Sequence, residues 1–324
     1  MHAILPDIFD FQSGMIVSAI TFIGITFIGG MWSASLSNVL NIVLIYVGIL
    51  IATVIQFNKI GSMDNLAAAL PANVPWFSFI DGVGPVTIAS WCLTLITVNL
   101  SLQSILQISL GAKDAETAKK GFVWGGIIML PVGVLAAFLG IVAKAMFPEV
   151  KAALALPQVI VGLQPLVAGI TLAALWAADV STACNLLLSA GTLFSSDIYK
   201  RFINPDCDDK KQLMMTRLCV MISGILTLGL AMTVSSILGT IMIGLALTAA
   251  FTMIVFVALF FPKYTSKAAG FWTLLAGLVT IILYKFCPAV RIFPNVIYLE
   301  WIVCIVTYVL VAIISPAKKE APAK

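Results

Sequence analysis

An all-α, polytopic transmembrane helix bundle is the fold class this sequence predicts, and three observations predict it. Of 324 residues, 61% are apolar and only 10% charged, whereas a soluble domain carries about 25% charged residues. The mean hydropathy is +1.11. The apolar residues gather into nine runs, most near the roughly 20 residues that a spanning helix needs, and the basic residues between the runs are distributed unevenly.

In chain order the runs are 14–30, 39–57, 86–110, 122–147, 165–196, 215–234, 237–261, 268–286 and 296–314. The first is short for a span and the fifth is long enough to extend beyond a bilayer. Breaker residues mark several joints: Gly82-Val83-Gly84-Pro85 before the third, Phe261-Pro262 after the seventh and Ser315-Pro316 after the ninth. Between the sixth and seventh, Val234-Ser235-Ser236 leaves room only for a tight turn. This divides the chain into an extracellular segment 1–13, a bundle 14–314 and a cytoplasmic tail 315–324.

One set of alternate connections, with the tail, holds thirteen Lys and Arg residues, among them Lys119, Lys120, Lys200, Arg201, Lys210 and Lys211. The opposite set holds five: Lys59, Lys144, Lys151, Lys285 and Arg291. Positive charge marks the cytoplasmic side. The expectation is a multi-pass protein of the cell (inner) membrane, with its N-terminus outside and C-terminus inside. The start MHAILPDIFDF has no basic leader, so the chain reads as beginning partway through a longer design.

The formal charge of +4 forms no basic patch, so no nucleic-acid partner is expected. The single histidine is His2, and the six cysteines show no C-x-x-C pair, which argues against metal, disulfide and histidine-based chemistry. No enzyme and no bound cofactor are expected.

The third run is crowded with small polar residues. Ser90, Thr94, Thr97, Ser101 and Ser104 recur at helical spacing, with Asn99, Gln103 and Gln107 roughly opposite. Two readings stay open: glue between helices, or a discontinuous helix lining a solute path. The fifth run carries Asp179, Ser181, Thr182, Asn185, Ser189 and Thr192. Asp179 reads as the only acid well inside a predicted span. A carboxylate there is costly, so it should face protein, water or a cation.

The stretch ALWAADVSTACNLLLSAGTLFSSDIYK, 174–200, resembles the sodium-site helix of the sodium/solute symporter family: Ala177-Ala178, the hydroxyl pair Ser181-Thr182, and the ending Asp197-Ile198-Tyr199-Lys200. SLQSILQISLGAKD (101–114) and GGMWSASLSNVLN (29–41) resemble two further family patterns, in the right order. The resemblance implies a partial LeuT-type inverted-repeat fold in which runs three to seven form the complete second repeat. The first core helices have no counterpart in this sequence.

Carried over by position, the implied ligands of a coupling Na+ are the Ala178 carbonyl and the Ser181 and Thr182 hydroxyls; the family aspartate is Asn38 here, and Asp179 is the candidate to replace that carboxylate near the ion path. Thr97, Asn99, Gln103 and Gln107 are the expected substrate path. The family's arginine is Ile108, and the aromatic pair of its sugar-transporting members falls on Val98-Asn99, which speaks against a sugar. The function implied is sodium-coupled symport of a small organic solute by alternating access, incomplete as a lone chain. The expected partners are membrane lipid, Na+, the solute and a separate chain supplying the missing N-terminal helices. The alternatives are half of a split transporter, an inactive fragment, or a symporter-like sensory input module, the last requiring a soluble domain after residue 315.

Overall fold

The computed structural model describes residues 10–234 and 237–316. Ser235, Ser236, nearly all of the expected tail and most of the expected extracellular segment lie outside them. Among the described residues there is helix and no strand. Among the described residues, eight stretches are long and apolar enough to cross a membrane, and a bent pair, Pro85–Ser101 with Gln103–Leu110, makes a ninth when it is counted as one span. The chain divides into two compact units, 1–76 with 111–234, and 77–110 with 235–324.

The first unit is built on α1 (Phe11–Ile60), α2 (Met63–Ala68), α5 (Ala115–Met146), α6 (Ala152–Val161), α7 (Pro165–Leu193) and α8 (Asp209–Ala231). The two runs expected at 14–30 and 39–57 are one helical element, with no loop between them. Nothing stronger than Gly29-Gly30 interrupts this stretch, and an interior glycine costs a helix only about 1 kcal/mol. The element nevertheless turns back on itself. Ser18 Oγ accepts from Trp176 Nε1 at 3.2 Å and Phe22 O meets Cys184 Sγ at 3.5 Å, so this half ascends α7. Asn41 Nδ2 donates to Ala177 O at 3.1 Å and Gly48 O accepts from Thr171 Oγ1 at 3.2 Å, so the second half descends it. A straight helix would separate Ser18 from Asn41 by about 35 Å.

The second half of α1 approaches α7 closely. A methyl group on Gly48 would sit 3.1 Å from the Thr171 Cα and 3.3 Å from the Ala174 methyl. Small residues allow such crossings within membranes. Around this seam, Ile49, Ala52, Leu66, Leu139, Val142, Val159, Ile160 and Ala168 form the apolar core. Pro131 inside α5 loosens the turn before it, and the Tyr46 hydroxyl of α1 donates to the Ile128 carbonyl there.

Caps define the other ends. Gly61 closes α1 at φ +82°, a conformation that favours glycine, and its N–H bonds Phe57 O. Asp114 and Asp208 cap α5 and α8 through the amides of Thr117 and Lys211, which starts both helices six or seven residues before the apolar runs do. The Thr117 amide bond holds the Asp114 carboxyl below its usual range. Beyond α7 the chain widens into a π-helix, Phe194–Ile203, tied to α8 by the Ser195–Thr216 hydroxyl pair at 2.7 Å and by Lys200 donating to Gln212 at 3.0 Å.

The second unit holds α3 (Pro85–Ser101), α4 (Gln103–Leu110), α9 (Ile237–Ala246), α10 (Thr248–Phe260), α11 (Lys267–Phe286) and α12 (Val296–Ile314). Gly84 at φ +82° and Pro85 at the first helical position start α3. The expected third run bends by 46° between α3 and α4, at Leu102. Hydroxyls hold the bend: Thr252 Oγ1 lies 2.8 Å from Thr97 O and 2.7 Å from Ser101 Oγ, and Ser101 Oγ donates to Thr248 O at 3.1 Å. Trp301 Nε1 of α12 donates to Thr97 Oγ1 at 3.0 Å. Ser90, Thr94, Thr97 and Ser104 are all buried, so that stripe packs against protein.

Two substitutions test these seams. A methyl group on Gly191 of α7 would lie 2.9 Å from the Thr216 carbonyl and 2.8 Å from the Val220 side chain of α8. Gly191→Ala should therefore lower stability by about 1–3 kcal/mol, whereas Gly229→Ala, with nothing within 4 Å, should not; thermal unfolding in detergent reads both. Thr252→Val removes the shared hydroxyl at the α3–α4 bend and should cost about 0.6–1.7 kcal/mol. Faster amide exchange around Ser101 and Leu102 should accompany that loss.

Candidate functional site

The expected sodium ligands lie on one turn of α7. Ser181 reaches back three residues and Thr182 four, which on a helix returns both hydroxyls to the carbonyl of Ala178. Ser181 Oγ donates to that carbonyl at 2.8 Å and Thr182 Oγ1 at 3.2 Å. Three oxygens are therefore gathered without any movement of the chain. With both hydroxyl protons directed inward, their lone pairs are left to face away from the helix. Chemically this is a cluster of hard, neutral oxygen donors, suited to an alkali cation. Ser189 and Thr192 bond backward in the same manner, to Asn185 O and Ser189 O.

The flanks of this turn differ. On one side lies α1, whose Asn41 amide is spent on the Ala177 carbonyl. One turn earlier, the Asn38 Oδ1 is buried and has no hydrogen-bond partner. On the other side Asp179, Thr182, Leu186 and Ala190 form an exposed stripe along α7. Asp179 thus sits beside Thr182, one turn away on the open face, while Asn38 is turned inward. Sequence reasoning marked Asn38 only as a lost carboxylate and missed Asn41. The long-range pairing of α1 with α7 is what brings both to the site.

The expected substrate-path residues belong to the second unit and do not share a face. Thr97 is 1% exposed and its hydroxyl is engaged by Leu93 O and the Trp301 indole. Asn99 is exposed and bonds back to Leu95 O at 2.8 Å. Gln103 and Gln107 are half-buried on one face of α4, just past the bend. Among the described residues, no group of three His, Cys, Asp or Glu side chains is placed to hold a metal ion.

The sodium:solute symporter family model matches residues 9–277. A sodium/proline symporter of Staphylococcus aureus is 25% identical over 290 residues, covering 84% of this chain and 55% of that protein. Sodium/glucose cotransporter 4 of Danio rerio is 24% identical over 325 residues, covering 83% and 48%. The chain spans about half the length of these curated relatives. Among solved structures, a Na+-coupled sialic acid symporter in a substrate-bound outward-open state superimposes with a TM-score of 0.75 at 18% identity, covering 98% of this chain and 68% of that one. That likeness shows the fold, a LeuT-type arrangement of which this chain forms a part. With more than half its length matched by the family model, the chain belongs to the sodium:solute symporter family.

Proposed function

We propose that this chain forms the sodium-binding part of a sodium-coupled symporter for a small organic solute. The observation that carries the reading is the convergence of the Ser181 and Thr182 hydroxyls on the Ala178 carbonyl, within a long apolar helix. Sodium is cargo here. It takes the outward lone pairs of the two hydroxyls and competes with them for the carbonyl. Asn38 Oδ1, buried and unpartnered, supports a role for the α1 side in holding or guiding the ion, and Asp179 supplies negative charge at the open edge.

The exposed stripe of Asp179, Thr182, Leu186 and Ala190 favours a further helical segment covering the ion, on a longer form of this chain or on a separate one. In the assembled protein, sodium stabilises the conformation that accepts solute, and both are released on the other side. The charge distribution supports release at the face carrying Lys119, Lys120, Lys200 and Arg201, which we read as cytoplasmic in an inner membrane. One charge crossing 100 mV supplies about 2.3 kcal/mol and a tenfold sodium ratio about 1.4 kcal/mol. Together these support a solute gradient of several hundredfold. Gln103 and Gln107, half-buried beside the α3–α4 bend, are the polar groups we assign to the solute.

The test is uptake across a panel of amino acids, carboxylates and sugars in proteoliposomes, with the chain alone and co-expressed with its neighbouring reading frames. Uptake should require Na+ and vanish when choline replaces it. Ser181→Ala and Thr182→Ala should each raise the sodium concentration for half-maximal uptake about tenfold, equivalent to about 1.4 kcal/mol. Uptake indifferent to both substitutions removes the assignment of these hydroxyls.

A further inference from the structure

Glu300 belongs to the second unit. The sequence reading left Asp179 as the only acid well inside a span; the structure corrects this, because Glu300 lies in α12 and is 0% exposed. It falls in the second turn of its helix, so its position along the chain looks peripheral. Its carboxyl group, however, reaches the midpoint of α11. A methyl group on Gly277, halfway along that helix, would lie 2.5 Å from Glu300 Oε1, 3.1 Å from the Ala250 methyl of α10 and 3.6 Å from Cys304 Sγ. The carboxyl therefore occupies a space that exists because residue 277 has no side chain.

Nothing in that space neutralises a carboxylate. The helices packed against α12 are α3, α9, α10 and α11. The first of these carries one titratable group, Cys92, which is exposed. Neither α9 nor α10 carries any. On α11 the groups are Lys267, Tyr284 and Lys285. Both lysines are exposed and lie more than two turns along the helix from Gly277, and the Tyr284 hydroxyl is spent on Phe293 O. On α12 itself, Tyr298 and Tyr308 bond to Val86 O and Tyr264 O, and only the Cys304 thiol meets the carboxyl, at 3.9 Å from Oε1. Glu300 Oε2 has no hydrogen-bond partner. Neither does the hydroxyl oxygen of Thr273, which is also 0% exposed and lies one turn from Gly277 on α11.

No ion pair to Glu300 is found among the described residues, and an unpaired carboxylate sealed among apolar helices is the arrangement proteins avoid. Two small cations could remove the charge. Sodium needs several oxygens around it, whereas the groups that share the space with the carboxyl are Ala250, Gly277 and a thiol. A proton needs only the carboxyl.

We propose that Glu300 is a membrane-embedded proton site: a carboxylic acid holding its proton within the α10–α11–α12 packing, with the unpartnered Thr273 hydroxyl one turn from Gly277 on α11. The site is distinct from the Ala178–Ser181–Thr182 cluster in element and in chemistry, one taking a proton on a buried acid and the other an alkali ion on neutral oxygens.

Infrared spectroscopy of the full chain in lipid nanodiscs, with carboxyl-13C glutamate incorporated, tests this. The sequence has four glutamates; Glu116 and Glu149 are exposed, and Glu320 lies outside the described residues. At pH 7 a carboxylic-acid carbonyl band that shifts with the isotope should be present, and should disappear in Glu300→Gln. It should persist when choline replaces Na+ and shift in frequency in Thr273→Val. Isotope-sensitive intensity found only as carboxylate at pH 7 overturns the proposal, and the labelled parent protein alone decides this if the Gln variant does not assemble. A band that titrates away with Na+ would make the site a sodium site instead, and a band unmoved by Thr273→Val removes that hydroxyl from it.

Discussion

Inside a membrane every hydroxyl and amide must find its partner within the protein, because no water is there to supply one. Most hydroxyls of this chain meet that demand locally, donating to a carbonyl one turn back on their own helix, as Thr53 does to Ile49 and Thr94 to Ser90. Those that reach further mark where helices are fastened together. Thr171 joins α7 to α1, Thr252 joins α10 to the bend between α3 and α4, and Ser266 of the α11 cap reaches Ser315 past the end of α12. The few polar atoms left without a partner, Asn38 Oδ1 and Glu300 Oε2 among them, are informative for the same reason. In this solvent an unmet oxygen is costly, and a ligand is one way to meet it.

The turn of α7 proposed to bind sodium is an extreme case of local bonding. Ordinary backward hydrogen bonds of two neighbouring hydroxyl residues, three and four positions after Ala178, assemble the cluster by themselves. Tertiary structure contributes its flank, through Asn41 on the neighbouring carbonyl and through the close approach of Gly48 to Thr171. A helix held so near by small residues has little freedom to rotate, which fixes which face of α7 meets α1 and which face is left open.

Much of this was legible in the sequence, and the reasons are physical. Hydropathy located all nine apolar stretches, since length and composition are what a bilayer selects. The hydroxyl pair on α7 was legible because its geometry is local to one turn. The reversal between the first two runs, 14–30 and 39–57, was legible from hydropathy as well, but its form was not, because hydropathy alone does not show that the chain stays helical through Gly29-Gly30 and the residues after it. The π-helical stretch after Leu193 has no composition of its own; it is held by Ser195 and Lys200 bonding to α8. Glu300 was misjudged since distance along a helix from its end is a poor guide to depth when a long side chain points toward the middle of a neighbour. Gly277, an unremarkable residue in an apolar run, was the missing clue.

The crowding at Ala178 has an electronic consequence. A peptide oxygen offers two lone pairs, yet this one receives both hydroxyls of its own turn in addition to its place in the helical ladder. Hydrogens already surround it, so any cation that is to reach it must first turn the hydrogens of residues 181 and 182 aside. Access to that oxygen is therefore set by the rotation of two side chains and needs no movement of the backbone.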